Sequence, residues 1–469
     1  MTVLFSIFTI TFFLVLILAC IKPSWGIGLF LIYFMLVPLV KVYVGSFSIG
    51  SNFMYLALTI IVLFWHWRQI GRKAIKIFLP FLFYFVAMAV LISLQESHNF
   101  SYAYSTITLD VMACLLFPFS LFIVLYYEKN AVKVIAWSLI VSGLIYMFYG
   151  IFLTTMPGYN PYLMVTLPYF NLEFNEAYAM GYSGLSDAAA HTELAEGRIF
   201  GRISSVFTHP MNYTLNVGLL MIFVIYYLRR VKWLLTIILL IGVVAIITSG
   251  VRTPFAALLG TALVALLAYR KVKYFFVVIT SIAVIFVFLY FYFPELFDYM
   301  TSMFGDSEKE MEGSSLDMRI KQFYGCFDVL QQDLWIGKGY GWTAAYMAQN
   351  ISHPILLSFE SLIFVVLCNT GLIGVFVYFV YIAVIVIQIT SVKNSHLRVL
   401  LLCIFSYYIL FSIITGEYGY MKYFMIYYPI LWALYYKGEK KRRLRLKKKR
   451  LNDGREYKDR LCHQRRLEV

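Results

Sequence analysis

The run VLFSIFTITFFLVLILACI at residues 3–21 carries no charged side chain. A helix rising 1.5 Å per residue needs about 20 apolar residues to cross the hydrocarbon of a bilayer, where backbone groups find no water and must pair with one another. No basic residue precedes the run and no small-residue cleavage site follows it, so it reads as a retained first span and not as a signal peptide. About thirteen such stretches recur, starting near residues 3, 24, 52, 77, 103, 134, 206, 233, 253, 274, 356, 397 and 418. The chain of 469 residues is 61% hydrophobic, 19% aromatic and only 13% charged, with a mean hydropathy of +0.78. Soluble domains carry about 25% charged residues. The expectation is an all-α, polytopic integral membrane protein with about 12–14 transmembrane helices, the spread coming from Pro38 to Ser51 and the short turn Gly250 to Thr253.

Charge sets the orientation. Basic residues cluster at Arg68 to Lys76, Lys129 to Lys133, Arg229 to Lys232, Arg270 to Lys273 and Lys393 to Arg398, and the tail from Lys437 holds 15 Lys and Arg against five Asp and Glu. The positive-inside rule makes these segments cytoplasmic. Outside remain Lys41, Arg198, Arg202, Arg252, Lys309, Arg319, Lys321, Lys338 and Lys422. Because the tail dominates the net +15, that figure says little about substrate. The tail reads as an anchor on anionic lipid headgroups; beside a last span, nucleic acid is not the expected partner. Of the six cysteines, Cys20, Cys114, Cys368 and Cys403 fall in spans, Cys462 in the tail and Cys326 in a loop, with no CxxC pair, so neither a disulfide framework nor a thiolate metal site is supported.

The chain divides into N-terminal spans (1–154), a first long periplasmic loop (155–205), central spans (206–293), a second long periplasmic loop (294–355), C-terminal spans (356–436) and a basic cytoplasmic tail (437–469). Loops of about 50 to 60 residues usually carry structure or function. In the second, Leu316, Ile320, Phe323, Phe327, Leu330 and Leu334 recur at spacings of four and three, one apolar stripe of an amphipathic helix capped by Ser314 or Ser315. Such a helix lies on the outer membrane surface or roofs a cavity.

Four outward constellations stand out. Residues 201–212 run Gly-Arg-Ile-Ser-Ser-Val-Phe-Thr-His-Pro-Met-Asn into a span, with Pro210 in its first turn. Residues 248–254, Thr-Ser-Gly-Val-Arg-Thr-Pro, turn between two spans. Arg319 precedes a Gly-Lys-Gly-Tyr-Gly run at 337–341. Finally come His353, then Glu360-Ser361, then Gly371-Leu-Ile-Gly374 after nine residues.

In order and spacing, residues 200–435 resemble the O-antigen ligase and polymerase superfamily of lipid-linked glycan transferases. Its ligases carry His-[Asn/Ser/Gln]-x9-Gly-x-x-Gly. Here Glu360 occupies the histidine position, with Ser361 next, and His353 stands seven residues too early. That replacement favours a polymerase over a ligase. The resemblance implies an undecaprenyl-diphosphate-linked oligosaccharide as substrate, the bacterial cytoplasmic (inner) membrane as location, and a chain-length regulator and a flippase as protein partners.

The chemistry asks for these residue types. When a sugar hydroxyl attacks an anomeric carbon, the departing diphosphate needs charge stabilisation and no proton, which guanidinium groups give bidentately. Arg202, Arg252 and Arg319 are the candidates. The hydroxyl needs a base, and Glu360 at the mouth of a span is the candidate, with His353 as the alternative and His209 as a third group. On a continuous helix, positions 360, 371 and 374 fall within about 60° of one another, so Gly371 and Gly374 are expected to open a groove for a polyprenyl tail. No acidic cluster or histidine pair has metal-ligand spacing, so a metal-independent transferase with no cofactor is expected.

Blander readings stand beside each. An arginine at a span mouth often only snorkels to headgroups. Glu360 also reads as an interfacial carboxylate, His209 as a structural group at a helix entrance, and the two glycines as close-packing positions. Asp110, within a span, is functional by default, yet the resemblance assigns it nothing. A flippase is the competing class, but its charges line a midplane path between related halves, whereas here they gather at one face and no repeat appears. A receptor or scaffold has no need of three outward arginines around a carboxylate.

Overall fold

Helices occupy nearly all of the computed structural model, which describes residues 2–37, 42–44, 47–49, 51–95, 100–156, 160–162, 203–207, 209–269, 290–291, 316–349, 359–417 and 419–467. The first are α1 (Thr2–Ile21) and α2 (Pro23–Leu36), with Pro23 at the helix start, where its missing N–H costs nothing. A short antiparallel hairpin, β1 (Val42–Val44) with β2 (Phe47–Ile49), fills the ambiguous stretch before α3 (Ser51–His66). Then follow α4 (Arg72–Leu94), α5 (Phe100–Val111), a π-helical turn at Met112–Leu116, α6 (Phe117–Tyr127) and α7 (Ala131–Leu153). The central pieces are α8 (Pro210–Tyr227), α9 (Lys232–Thr248) and α10 (Thr253–Ala268). After α11 (Leu316–Leu330) and α12 (Trp342–Gln349) come α13 (Leu362–Thr390), α14 (Ser395–Thr415) and α15 (Met421–Leu467).

Among the described residues, six helices are long and apolar enough to cross a membrane: Arg72–Leu94, Tyr102–Tyr127, Ala131–Leu153, Pro210–Tyr227, Leu362–Thr390 and Ser395–Thr415. Shorter apolar helices at Thr9–Ile21, Pro23–Leu36, Lys232–Thr248 and Thr253–Ala268 accompany them. The chain is an all-α integral membrane protein. The span expected near 274 lies outside the described residues.

The bundle is held by aromatic packing more than by polar pairs. Helix α10 runs along α14, α2 along α7, α15 against α6 and α13 against α4. Tyr408 stacks on Phe424 at 4.9 Å and 10°, and the buried Tyr407 hydroxyl donates to the Thr214 carbonyl at 3.2 Å across α14 and α8. Offset aromatic pairs of this kind add about 0.5–1.5 kcal/mol beyond their buried area.

The basic segments meet at one end of the bundle. Lys437 Nζ donates to the Glu128 carbonyl at 2.9 Å, and Gln388 Nε2 donates to the Lys76 carbonyl at 2.6 Å. Beyond Lys437, α15 continues without a break through the basic tail, and its 47 residues extend roughly 70 Å, more than twice a bilayer's hydrocarbon thickness. The described residues that lead into α8, the turn between α9 and α10, and the start of α13 lie at the other ends of these helices.

Candidate active site

The Gly-Lys-Gly-Tyr-Gly run is built into a broken span. Helix α13 is interrupted at Gly371, whose φ of 64° and ψ of −167° belong to no helix. A break inside an apolar span orphans backbone groups, and each unpaired one costs several kcal/mol in hydrocarbon. The loop after α11 repairs it. Lys338 N–H donates to the Cys368 carbonyl at 2.9 Å and Gly339 N–H to the Asn369 carbonyl at 3.0 Å. In return, Leu372 N–H reaches the Leu334 carbonyl at 2.9 Å and Ile373 N–H the Trp335 carbonyl at 3.1 Å. Gln95, just past α4, fastens both partners by donating to the Ile336 and Asn369 carbonyls. The Asn369 side chain accepts from Thr343 N–H at 2.8 Å, which holds the start of α12.

Backbone approaches backbone so closely that side chains are excluded. A Cβ on Gly337 (φ 75°) would meet the Thr370 and Gly371 nitrogens at 2.5 Å, and one on Gly371 would strike the Trp335 carbonyl. The straight groove expected from Glu360, Gly371 and Gly374 on one helical face is therefore not formed. Glu360 precedes the helix, which Ser361 caps by accepting Ile363 N–H at 3.3 Å. Gly371 takes in the loop, and Gly374 abuts the Thr370 side chain.

Helix α11 forms where the sequence predicts it, but its apolar stripe is divided. Ile320, Phe323 and Phe327 are exposed, while Leu330, together with Gln322 and Cys326 from outside the stripe, is buried. The buried side joins Phe359, Phe364, Val365, Leu367 and Cys368 in a small second core against α13. This packing sets Arg319, in the first turn of α11, near Glu360. Burial pulls the Arg319 guanidinium below its ordinary value, and the nearby Glu360 carboxylate pulls the other way. An open cleft of about 490 Å³ adjoins them, lined by Arg319, Ile320, Phe323, Tyr324 and Phe364. The Arg319 cation thus lines an apolar cleft, with the Glu360 carboxylate within its electrostatic reach.

The first two constellations also meet. Ile203 N–H donates to the Ser249 carbonyl at 3.1 Å, which ties the segment entering α8 to the α9–α10 turn. Gly250 (φ 64°) allows that turn, and Arg252 is the residue preceding α10. Ser205 Oγ donates to the Tyr146 carbonyl at 2.6 Å, and Asn160 Nδ2 donates to the Ser205 carbonyl at 2.9 Å, so the entering segment is pinned on both sides. His209 caps α8, its Nδ1 accepting Met211 N–H at 3.2 Å, which is the structural reading of this residue. Arg202 and His353 lie outside the described residues.

Sequence reasoning missed Gln95 and Asn369, and took Tyr340 only as a member of the 337–341 run. For the first two the available signal was a polar side chain in or beside an otherwise apolar span. Among the described residues, no three His, Cys, Asp or Glu side chains gather as a metal cluster.

The fold defines an integral membrane protein, with Arg319 and Glu360 within electrostatic reach of each other as its candidate site. Residues 237–379 match the family described as O-antigen ligase, a match that supports placement in the O-antigen ligase/polymerase superfamily and covers Arg252, Arg319, Glu360, Gly371 and Gly374. No curated protein matches the chain.

Proposed function

We propose that this protein is a polymerase of undecaprenyl-diphosphate-linked oligosaccharide repeat units, acting at the outer leaflet of the bacterial cytoplasmic membrane. The observation that carries the reading is Glu360 within electrostatic reach of Arg319, with the carboxylate where ligases of the superfamily have histidine. An acceptor sugar hydroxyl attacks the anomeric carbon of the donor. The new C–O bond forms as the old one breaks, its electron pair leaves on the diphosphate, and the hydroxyl proton passes to Glu360. Single displacement inverts the anomeric centre. Arg319 and Arg252, with Arg202, hold the departing charge, and fixed guanidinium donors in a water-poor site contribute a few kcal/mol each. The prenyl chain follows the cleft wall of Ile320, Phe323, Tyr324 and Phe364. The basic helix beyond Lys437 binds anionic lipid with the turns nearest the membrane, and a chain-length regulator and a flippase work alongside.

Ligation of the glycan to an acceptor lipid is the second reading, favoured by the description of the matched family. Both chemistries need the same diphosphate grip. Arg319→Lys keeps the charge but loses the planar fork, so transfer by the purified protein in lipid falls at least tenfold. Lysine supporting full transfer at normal protein levels removes Arg319 from the site.

A further inference from the structure

A second polar centre lies away from Glu360, around Asp110. This carboxylate belongs to α5, in the apolar span Tyr102–Tyr127, immediately before the π-helical turn at Met112–Leu116. Such turns recur where a helix is shaped for function. The Tyr340 hydroxyl, between Gly339 and Gly341 of the docked loop, donates to Asp110 Oδ2 at 2.8 Å. Glu417 from the α14–α15 turn and Lys422 from the start of α15 come within electrostatic reach of the same carboxylate. Glu417 is fixed by accepting Gly419 N–H at 3.1 Å and Met421 N–H at 2.8 Å. Lys422 lies over the Tyr423 ring at 5.2 Å and makes no hydrogen bond or ion pair to a described residue.

Asp110, Tyr340, Glu417 and Lys422 are each partly buried and each keeps some accessible surface.

The occupant follows from the mixture. Two carboxylates against one ammonium repel a second diphosphate. Acceptors, one cationic donor, a hydroxyl and tyrosine rings are what a neutral polyol requires, with hydroxyls to bond and a C–H face to lay on an aromatic ring. We propose that this polar cluster is a sugar subsite that binds the acceptor glycan through Asp110, Glu417, Lys422 and the Tyr340 hydroxyl, joined to the Arg319 side by the Gly337–Gly341 loop. The proposal rests on the glycan-transferase reading above.

The test separates sugar from diphosphate. Repeat-unit oligosaccharide, released by mild acid from the producing cell's own lipid-linked precursor, is titrated calorimetrically into the full-length protein in lipid nanodiscs, and undecaprenyl diphosphate without sugar is titrated separately. Asp110→Asn and Lys422→Met each weaken oligosaccharide binding tenfold or more and leave undecaprenyl diphosphate binding within twofold, while Arg319→Lys does the reverse. Because Lys422 holds no hydrogen bond, Lys422→Met keeps or raises the melting temperature as it loses sugar, a pattern that a packing role does not produce. Should the wild type bind no oligosaccharide, or should Lys422→Met bind it as the wild type does, the subsite is overturned. Oligosaccharide binding without any undecaprenyl diphosphate binding overturns instead the transferase reading on which it rests.

Discussion

Glu360→Gln lowers turnover of the purified protein by roughly a hundredfold or more, equivalent to about 2.7 kcal/mol of barrier. Glutamine preserves shape and hydrogen bonding but cannot accept the proton that the attacking hydroxyl releases. The carboxylate also sits within the field of Arg319, so two roles must be told apart. If Glu360 only steadied that guanidinium, its loss would loosen donor binding and raise KM. As a base, its loss falls on kcat with KM for the donor nearly unchanged, since Arg319 stays charged without it. Glu360→His retains part of the activity, because imidazole accepts a proton in the same place. Normal elongation by Glu360→Gln alongside an inactive His353→Ala would move the base to His353.

Gly371→Ala produces the largest structural loss. A left-handed φ costs an L-residue about 1–2 kcal/mol, and the added methyl is driven into the Trp335 carbonyl. The loop must lift, which strands the Cys368 and Asn369 carbonyls and the Leu372 and Ile373 N–H groups inside the span at about 1–3 kcal/mol each. We expect a fall of many degrees in melting temperature together with loss of transfer. Gln95→Leu, which removes only the two side-chain bonds to Ile336 and Asn369, gives a smaller shift in the same direction. A Gly371→Ala protein that melts and transfers like the wild type contradicts the docked loop.

The sequence made the helices legible because the bilayer admits so few backbone solutions. A 20-residue apolar run has almost no other fate, and the stripe from Leu316 announces α11 in the same way. Arg319 and Glu360 stand out as candidates because charge is conspicuous at the outer end of an apolar bundle. What stayed hidden was the break at Gly371. Helical periodicity carries through it unchanged, and nothing in Asn-Thr-Gly-Leu reports a dihedral that only the incoming loop makes worthwhile. The direction of the α11 stripe was hidden for a related reason. Its spacing identifies an apolar face but not whether protein or lipid covers it, and here Gln322 and Cys326 face the core while Ile320 and Phe323 face out. Tyr340 and Asp110, 230 residues apart, meet only because that loop docks.

The central claim, elongation and not capping, is tested most directly by the size profile of surface glycan in cells that lack this protein. The account predicts that single repeat units still reach the acceptor lipid while every longer rung of the ladder disappears. Long chains that accumulate on undecaprenyl diphosphate and never reach the acceptor would contradict it and identify a ligase.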